Sequence, residues 1–331
     1  MAEAASTDVE RTGSRSARRS GARLGSALRN HTALLLLIVL IIFGGIVSDV
    51  FLTPRNLLNI LWAVSVLGIV AMGQTILLIS KNFDMSVAFV MGLAGIATVL
   101  AQIAGMGLIE STLVGLAVGV VFGFVNGLIV VVSGANPFLI TLGTGTLAYA
   151  LSLMLTRSQT FYTTVPEFTE IGRGRLFDAV NYSVLICLAI AVILQIALKR
   201  TVFGRSLYIT GLNATAGRLS GIRVQATLLI AFVICGTTAA LAGLVVIGRT
   251  GSTLALAGQG YEFDSIIAAV LGGTSLFGGR GSAMRTLVGV LVLGVLNNLL
   301  ILMNVPIESQ RIAKGAVFLL VVWADSMLRK A

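Results

Sequence analysis

The sequence predicts an all-α polytopic membrane protein of about ten transmembrane helices with both termini in the cytoplasm. Three observations indicate this class. Of the 331 residues, 56% are hydrophobic and 11% are charged, with a mean hydropathy of +1.00, whereas soluble domains carry about 25% charged residues. Uncharged runs near the length of about 20 residues that a bilayer requires recur along the chain. The basic residues between these runs are unevenly distributed between alternate segments, as the positive-inside rule requires.

Charged residues mark the limits of the predicted spans. The run 111–156 is too long for one helix, and Ser133 to Pro137 supplies Gly, Asn and Pro for a turn that divides it. A last span is expected at about 312–328, with Lys314 reaching the interface near one end. The other spans are expected within the uncharged runs 32–48, 56–80, 85–109, 179–198, 224–248, 265–279 and 286–307. The eighth span, which contains the run 265–279, is expected to begin near 262.

The distribution of Lys and Arg orients these spans. With the N-terminus in the cytoplasm, 16 of the 23 basic residues fall in inside segments and 7 in outside segments. We expect 1–30 to be a disordered basic cytoplasmic tail, although its Arg and Ser content also allows a transit peptide, which its three acidic residues disfavour. Residues 31–331 then form the membrane domain, with long connecting segments at 157–180 outside and 199–223 inside.

The residue inventory excludes several classes of function. With one histidine and two isolated cysteines, Cys187 and Cys235, the chain has no histidine-based triad, histidine metal cluster or disulfide framework. It also lacks the Gly-Lys dipeptide of a phosphate-binding loop. We therefore expect no enzyme activity and no cofactor in this chain, and ATP, if it is used, must be hydrolysed by a partner.

A few residues within or beside the apolar runs are candidates for function. Glycines recur at every fourth position of the fourth span and favour close helix packing, namely Gly115, Gly119, Gly123 and Gly127. Acidic groups beside apolar runs are costly and often functional, but they also cap helices or form ion pairs. Amide and hydroxyl groups suit a neutral polar solute, or they bond neighbouring helices. The candidates for a translocation path or gate are Asp84, Asn136, Thr141, Glu262, Asp264 and Asn297.

A weak internal repeat accompanies two of these acids. Phe83-Asp84 and Phe263-Asp264 are offset by 180 residues, and Gly92 and Gly272 keep the same offset. The third predicted span begins inside, whereas the eighth begins outside. This pattern predicts an inverted repeat of five plus five helices, as in many transporters.

Four segments resemble the ribose/xylose-type permease family, the transmembrane subunits of bacterial ATP-binding cassette sugar importers. The resemblance extends over about 33–328, and its last two motifs are highly specific. The segments are Gln74–Ser86, Asn136–Thr146, Phe203–Ile222 and Gly258–Ser282. One departure occurs: where the family usually has Gly-Gly-Ile-Asp-Leu-Ser-Val-Gly, this chain has Lys81 to Ala88, and we expect the loss of glycines to affect this hairpin and the choice of substrate.

The resemblance implies partners that composition does not. Such permeases work in the bacterial inner membrane with a second copy or a paralogue. They receive sugar from a periplasmic binding protein and contact a cytoplasmic ATPase that holds ATP and Mg; no nucleic acid is involved. The stretch 213–222 looks like the coupling helix that docks on the ATPase, with candidate residues Asn213, Arg218, Leu219, Ser220, Gly221 and Ile222.

The leading functional hypothesis is therefore the permease subunit of a monosaccharide importer, with a ribose- or pentose-like substrate. The alternative is a secondary transporter that uses Asp84 or Asp264 as a proton carrier. A passive channel is disfavoured because the sequence has no repeated charged or carbonyl filter motif.

Overall fold

The computed structural model of the protein describes residues 32–330, so the tail predicted for 1–30 lies outside the described residues. The described chain is almost entirely helical. Two short strands, β1 (Arg175–Leu176) and β2 (Val180–Asn181), pair antiparallel, and a 3-10 turn covers Pro166–Thr169. The helices are α1 (Thr32–Val47), α2 (Pro54–Ile79), α3 (Val87–Ile103), α4 (Leu108–Ser133), α5 (Pro137–Thr156), α6 (Glu170–Arg173), α7 (Tyr182–Arg200), α8 (Val202–Leu219), α9 (Val224–Thr250), α10 (Tyr261–Leu271), α11 (Ala283–Leu302) and α12 (Ile307–Lys330).

Six of the described helices are long and apolar enough to cross a membrane: α2, α4, α5, α7, α9 and α11. The helical, polytopic membrane class is thus confirmed. The predicted turn at 133–137 is also confirmed, because α4 ends at Ser133, Gly134 adopts a left-handed φ of 64°, and α5 begins at Pro137. The eighth predicted span, 262–279, is shorter than expected: α10 ends at Leu271, because Gly272 and Gly273 terminate it and the chain turns before α11.

The core is formed by α2, α3 and α9. Every residue of α2 from Val64 to Ile79 is buried. The glycine face of α4 lies along α9: a Cβ at Gly119 would meet the carbonyl oxygen of Gly236, and one at Gly123 would meet that of Phe232. The opposite face of α4 is apolar and exposed, as lipid contact requires.

Two helices of the bundle are interrupted. Before α3, residues 80–86 form a non-helical segment, and α10 has only 11 residues and follows the non-helical segment 251–260. This second segment packs tightly on α3, since a Cβ at Gly258 would meet the carbonyl oxygen of Ala88 and one at Gly92 would meet that of Ala255. Irregular backbone is tolerated at membrane depth only where protein or a cavity surrounds it.

Candidate translocation cavity and coupling surface

A cavity of about 520 Å³ lies between α2, α10, α11 and α12. Its walls combine apolar side chains with an unusual number of amides. One side is formed by Gln259, just before α10, and by Tyr261 and Asp264 in its first turn. The other lining residues are Asn59, Ile60, Trp62, Ala63, Val64, Leu67, Leu293, Gly294, Asn297, Asn298, Ile301 and Lys314.

Three amides in this cavity are available to a solute. Among the contacts of the described residues, no hydrogen bond engages the side chains of Asn59, Gln259 or Asn297. Each amide offers both donors and an acceptor, which is the chemistry that sugar hydroxyls require. An ion pair completes the lining: Lys314 Nζ lies 3.1 Å from Asp264 Oδ2, with the side chains 33% and 20% exposed.

The frame of the cavity is held by paired polar side chains. Asn56 and Asn298 exchange two hydrogen bonds between α2 and α11, of 3.0 and 2.9 Å. Deeper in the same interface, the hydroxyls of Thr75 and Thr286 lie 2.8 Å apart. Because the side-chain amides of Asn56 and Asn298 bond each other, Asn298 has a structural role. The side chain of its neighbour Asn297 has no such partner among the described residues.

Asp84 lies outside this cavity in a buried polar network. Its Oδ1 accepts hydrogen bonds from the backbone N–H and the hydroxyl of Ser86, at 2.7 and 2.6 Å, and its Oδ2 accepts one from Asn126 Nδ2 at 3.2 Å. Asn126 in turn accepts a hydrogen bond from the Thr144 hydroxyl at 2.6 Å. The carboxyl therefore fixes the non-helical segment before α3 to α4 and α5.

The other path candidates also have local partners. Thr141 accepts a hydrogen bond from Met85 N at 2.9 Å, Asn136 caps α5 by accepting from Phe138 N at 3.0 Å, and Glu262 accepts from Gly260 N at 2.8 Å. Thus the structure places Asp264 and Asn297 in the cavity, and Asp84, Asn136, Thr141 and Glu262 elsewhere. The sequence reasoning missed Asn59, Gln259 and Trp62; a polar residue three positions from a Trp within an apolar run was the available signal.

The predicted coupling stretch forms the second half of α8. At Asn213 the backbone is extended (φ −160°, ψ 98°), and the Asn213 Oδ1 accepts a hydrogen bond from Ala216 N at 3.0 Å, so it caps a new short helix. This helix ends at Ser220 and Gly221, the latter with φ +81°. Two apolar side chains on it and just before it face outward, Leu219 (86% exposed) and Leu212 (69% exposed).

The first half of α8 is joined to the elements that line the cavity. A Cβ at Gly211 would meet the carbonyl oxygen of Ile79, the last residue of α2, and the N–H of Gly279 donates to that same oxygen at 2.8 Å. The Tyr208 hydroxyl donates to Gly281 O at 2.8 Å. Burial raises the pKa of Tyr208, so the phenol remains a donor. The loop 272–282 connects α10 to α11. Thus α8 contacts the end of α2 and the α10–α11 loop, and these three helices line the cavity.

Comparison with known proteins shows what this architecture resembles. The family model described as branched-chain amino acid transport system / permease component matches residues 56–322. The ribose import permease protein of Bacillus subtilis is 36% identical over 87% of this chain and 90% of its own length. The D-allose transport system permease protein of Escherichia coli is 31% identical, covering 90% of this chain and 92% of its own. The fructose import permease protein of Rhizobium meliloti is 32% identical over 90% and 85%.

No solved structure matches the chain. The family model spans most of the sequence, including α2, α10 and α11 around the cavity, and the coupling stretch in α8. The chain therefore belongs to the branched-chain amino acid transport system / permease component family.

Proposed function

We propose that this chain is the membrane-spanning permease subunit of an ATP-binding cassette importer that carries a monosaccharide, ribose-like in its pattern of hydroxyls, into the cytoplasm. The observation that carries the proposal is the cavity lined by the unengaged amides of Asn59, Gln259 and Asn297. The names of the relatives support a sugar as the solute. The relatives are transport subunits, which agrees with a chain that performs no chemistry of its own.

The proposed topology has ten spans, α1 to α5 followed by α7, α9, α10, α11 and α12, with both termini in the cytoplasm of a bacterial inner-membrane protein. Its two halves form an inverted repeat. The supporting observation is that the interrupted helices α3 and α10 are the third spans of their halves. Interrupted helices in corresponding positions mark the substrate site of many transporters.

In this proposal, the energy for transport comes from a separate ATPase that binds ATP and Mg. This ATPase docks on the exposed face of the second half of α8. Leu219 and Leu212 supply apolar contact, and Asn213 and Arg218 supply polar contact at its rim. Movement of α8 is transmitted through Gly211 to Ile79, Gly278 and Gly279, because the backbone of Gly211 lies directly against theirs with no side chain in between. The cavity walls α2, α10 and α11 then move together.

Two further partners complete the proposed importer. A second permease copy or a paralogue lies beside this chain, and a periplasmic binding protein delivers the sugar to the outer mouth of the cavity. The choice of sugar is shared between the binding protein and the cavity amides, since hydrogen-bonding sites discriminate strongly against solutes that leave their polar groups unpaired.

The test is solute uptake by proteoliposomes that contain the complex purified from its native membrane. We expect an ATPase subunit to co-purify with the chain. We expect D-ribose or a related monosaccharide to accumulate only when ATP is present on the side of the membrane that carries the ATPase. A chain that purifies alone and whose uptake collapses with an uncoupler at constant ATP would overturn the proposal in favour of a proton-coupled carrier. The buried Asp84 carboxyl is the observation that favours that second candidate.

A further inference from the structure

A second, smaller cavity of about 220 Å³ adjoins the translocation cavity. The two share Asn59 and Trp62 in their linings. The remaining lining is Arg173, Arg175, Asn181 and Arg249, and no acidic side chain is among them. In the proposed topology this cavity lies at the outer end of α2 and α9, where basic residues are the less frequent kind.

One of these lining arginines, Arg249, is held in a fixed position by neutral partners. The Arg249 guanidinium stacks over the Trp62 ring at 4.6 Å from its centre. Its Nη2 donates to Ser183 Oγ at 3.1 Å, to Ser65 Oγ at 2.5 Å and to the Trp62 carbonyl. All these acceptors are neutral, and within the described part of the chain its buried Nε has no hydrogen-bond partner.

Among the side chains that the structure describes, none pairs as a counter-ion with these three arginines. The one ion pair among them joins Lys314 and Asp264, in the other cavity. Arg173 donates from Nε to the backbone carbonyl of Arg249 at 2.7 Å, and both residues line the cavity. Three guanidinium groups around one small cavity repel one another unless an anion joins them, and a carboxylate matches their planar fork.

An exposed aromatic residue lies at the turn of the hairpin whose paired residues Arg175 and Asn181 line this cavity. The hairpin pairs Arg175 with Asn181 and Leu176 with Val180, and at its turn Phe177 and Asp178 adopt φ of 51° and 55°. A bulky residue rarely adopts a left-handed backbone. At this turn, the left-handed backbone leaves the Phe177 side chain 90% exposed. The helix α6, which directly precedes the hairpin, is anchored to α2, because Trp62 Nε1 donates to Gly172 O at 2.9 Å.

We infer that the Arg173, Arg175 and Arg249 cavity with Phe177 is the docking site for the solute-binding protein, and that it receives one Asp or Glu side chain from that protein. This inference rests on the proposed function. A protein is the occupant because the site joins guanidinium groups to an exposed aromatic ring, the pairing that dominates protein–protein interfaces. A free anionic solute would use the arginines and leave Phe177 without a role.

The site also explains how the docked binding protein is positioned over the translocation cavity. Because Trp62 and Asn59 belong to both cavities, a carboxylate seated on the arginines fixes the binding protein over the mouth of the translocation cavity. Opposite charges also steer the encounter and set its orientation.

The test measures the affinity of the complex for its binding protein. The probe is the extracytoplasmic binding protein recovered with the wild-type complex and then produced separately, and the wild-type and variant complexes are held in nanodiscs. We expect R175E to raise the Kd at least about tenfold and F177S at least about fivefold, and the wild-type Kd to rise with salt. R157E, a charge reversal on an exposed arginine outside the cavity, is expected to change the Kd less than about twofold.

The outcomes separate the docking site from the function. Wild-type affinity in both R175E and F177S overturns the docking site and leaves the importer standing. A wild-type complex that recovers neither an ATPase nor a binding protein overturns both. Equal weakening by R175E and R157E would show a general effect of charge and also overturn the site. Retained ATPase association in R175E confirms that the variant is folded.

Discussion

The N–H of Gly279 donates a hydrogen bond of 2.8 Å to the carbonyl oxygen of Ile79, and Gly211 of α8 lies against that same oxygen. One point thus joins the end of α2, the loop between α10 and α11, and the helix proposed to meet the ATPase. Because the contacts are between backbones, no side chain can rotate away to absorb a displacement. This relationship makes the connection between α8 and the cavity testable at single residues.

Gly211→Ala is expected to uncouple ATP hydrolysis from transport. Its Cβ would meet the Ile79 carbonyl and the Gly279 amide, so α8 must shift away from its two neighbours. Uptake by proteoliposomes should fall at least about tenfold, a loss of about 1.4 kcal/mol in coupling, while the ATPase still co-purifies. Gly217→Ala on the same helix is the matched control, because its nearest neighbour would be 3.5 Å away, an ordinary contact. Equal uptake by the two variants would contradict the proposed transmission.

Leu219→Asp is expected to detach the ATPase. The side chain is 86% exposed on the second half of α8, and a buried, unpaired carboxylate at the centre of an interface is costly. Co-purification from membranes should drop at least about tenfold, with membrane insertion unchanged. Leu219→Met preserves the apolar contact and should retain the ATPase. Retention of the ATPase by Leu219→Asp would remove this face from the docking surface.

Adjacent asparagines should separate transport from stability. Asn297→Ala removes an unengaged amide from the cavity and should raise the apparent KM for the sugar about fivefold to tenfold, with the thermal midpoint unchanged. Asn298→Ala leaves Asn56 without its partner and should lower the free energy of unfolding by about 1–3 kcal/mol. Uptake kinetics and thermal unfolding in detergent give both readings. The reverse assignment of effects would show that the solute path lies elsewhere.

Asp84→Asn tests whether the buried carboxyl carries protons. The new side-chain oxygen still accepts from Ser86, but the new NH2 group faces the NH2 group of Asn126, and two donors cannot bond each other. We therefore expect the free energy of unfolding to fall by about 1–3 kcal/mol. Uptake at a temperature where the variant is folded should remain ATP-driven and insensitive to an uncoupler. If wild-type uptake responds to the uncoupler and the variant has lost that response, Asp84 is a proton carrier.

Gly119→Ala should destabilise the bundle, because its Cβ would meet the Gly236 carbonyl and the Ala240 methyl between α4 and α9. We expect a cost of about 1–3 kcal/mol, measured as a lower thermal midpoint. Gly143→Ala on α5 is the control: its Cβ would have open space, so improved helix propensity should stabilise the protein by up to about 1 kcal/mol. A lower thermal unfolding midpoint for Gly143→Ala than for Gly119→Ala would contradict the packing role of the α4 glycines.

The sequence alone determined the membrane class, the approximate limits of most helices and the turn between α4 and α5. These features depend on local properties: mean hydropathy over a span, the charges that interrupt it, and the backbone preferences of Gly134 and Pro137. The four glycines of α4 were visible for the same reason, since their spacing is a property of one helix.

Only the tertiary structure decided which residues share the cavity and which serve the frame. Asn59 comes from α2, Gln259 from the non-helical segment before α10, and Asn297 from α11, all far apart in sequence. Asn298 follows Asn297 on α11 and differs from it in the direction that its side chain faces. The early end of α10 and the meeting of Gly211 with Ile79 likewise depend on long-range packing. Local pattern fixes where a helix lies along the chain, but contacts between distant segments fix the direction that each polar group faces.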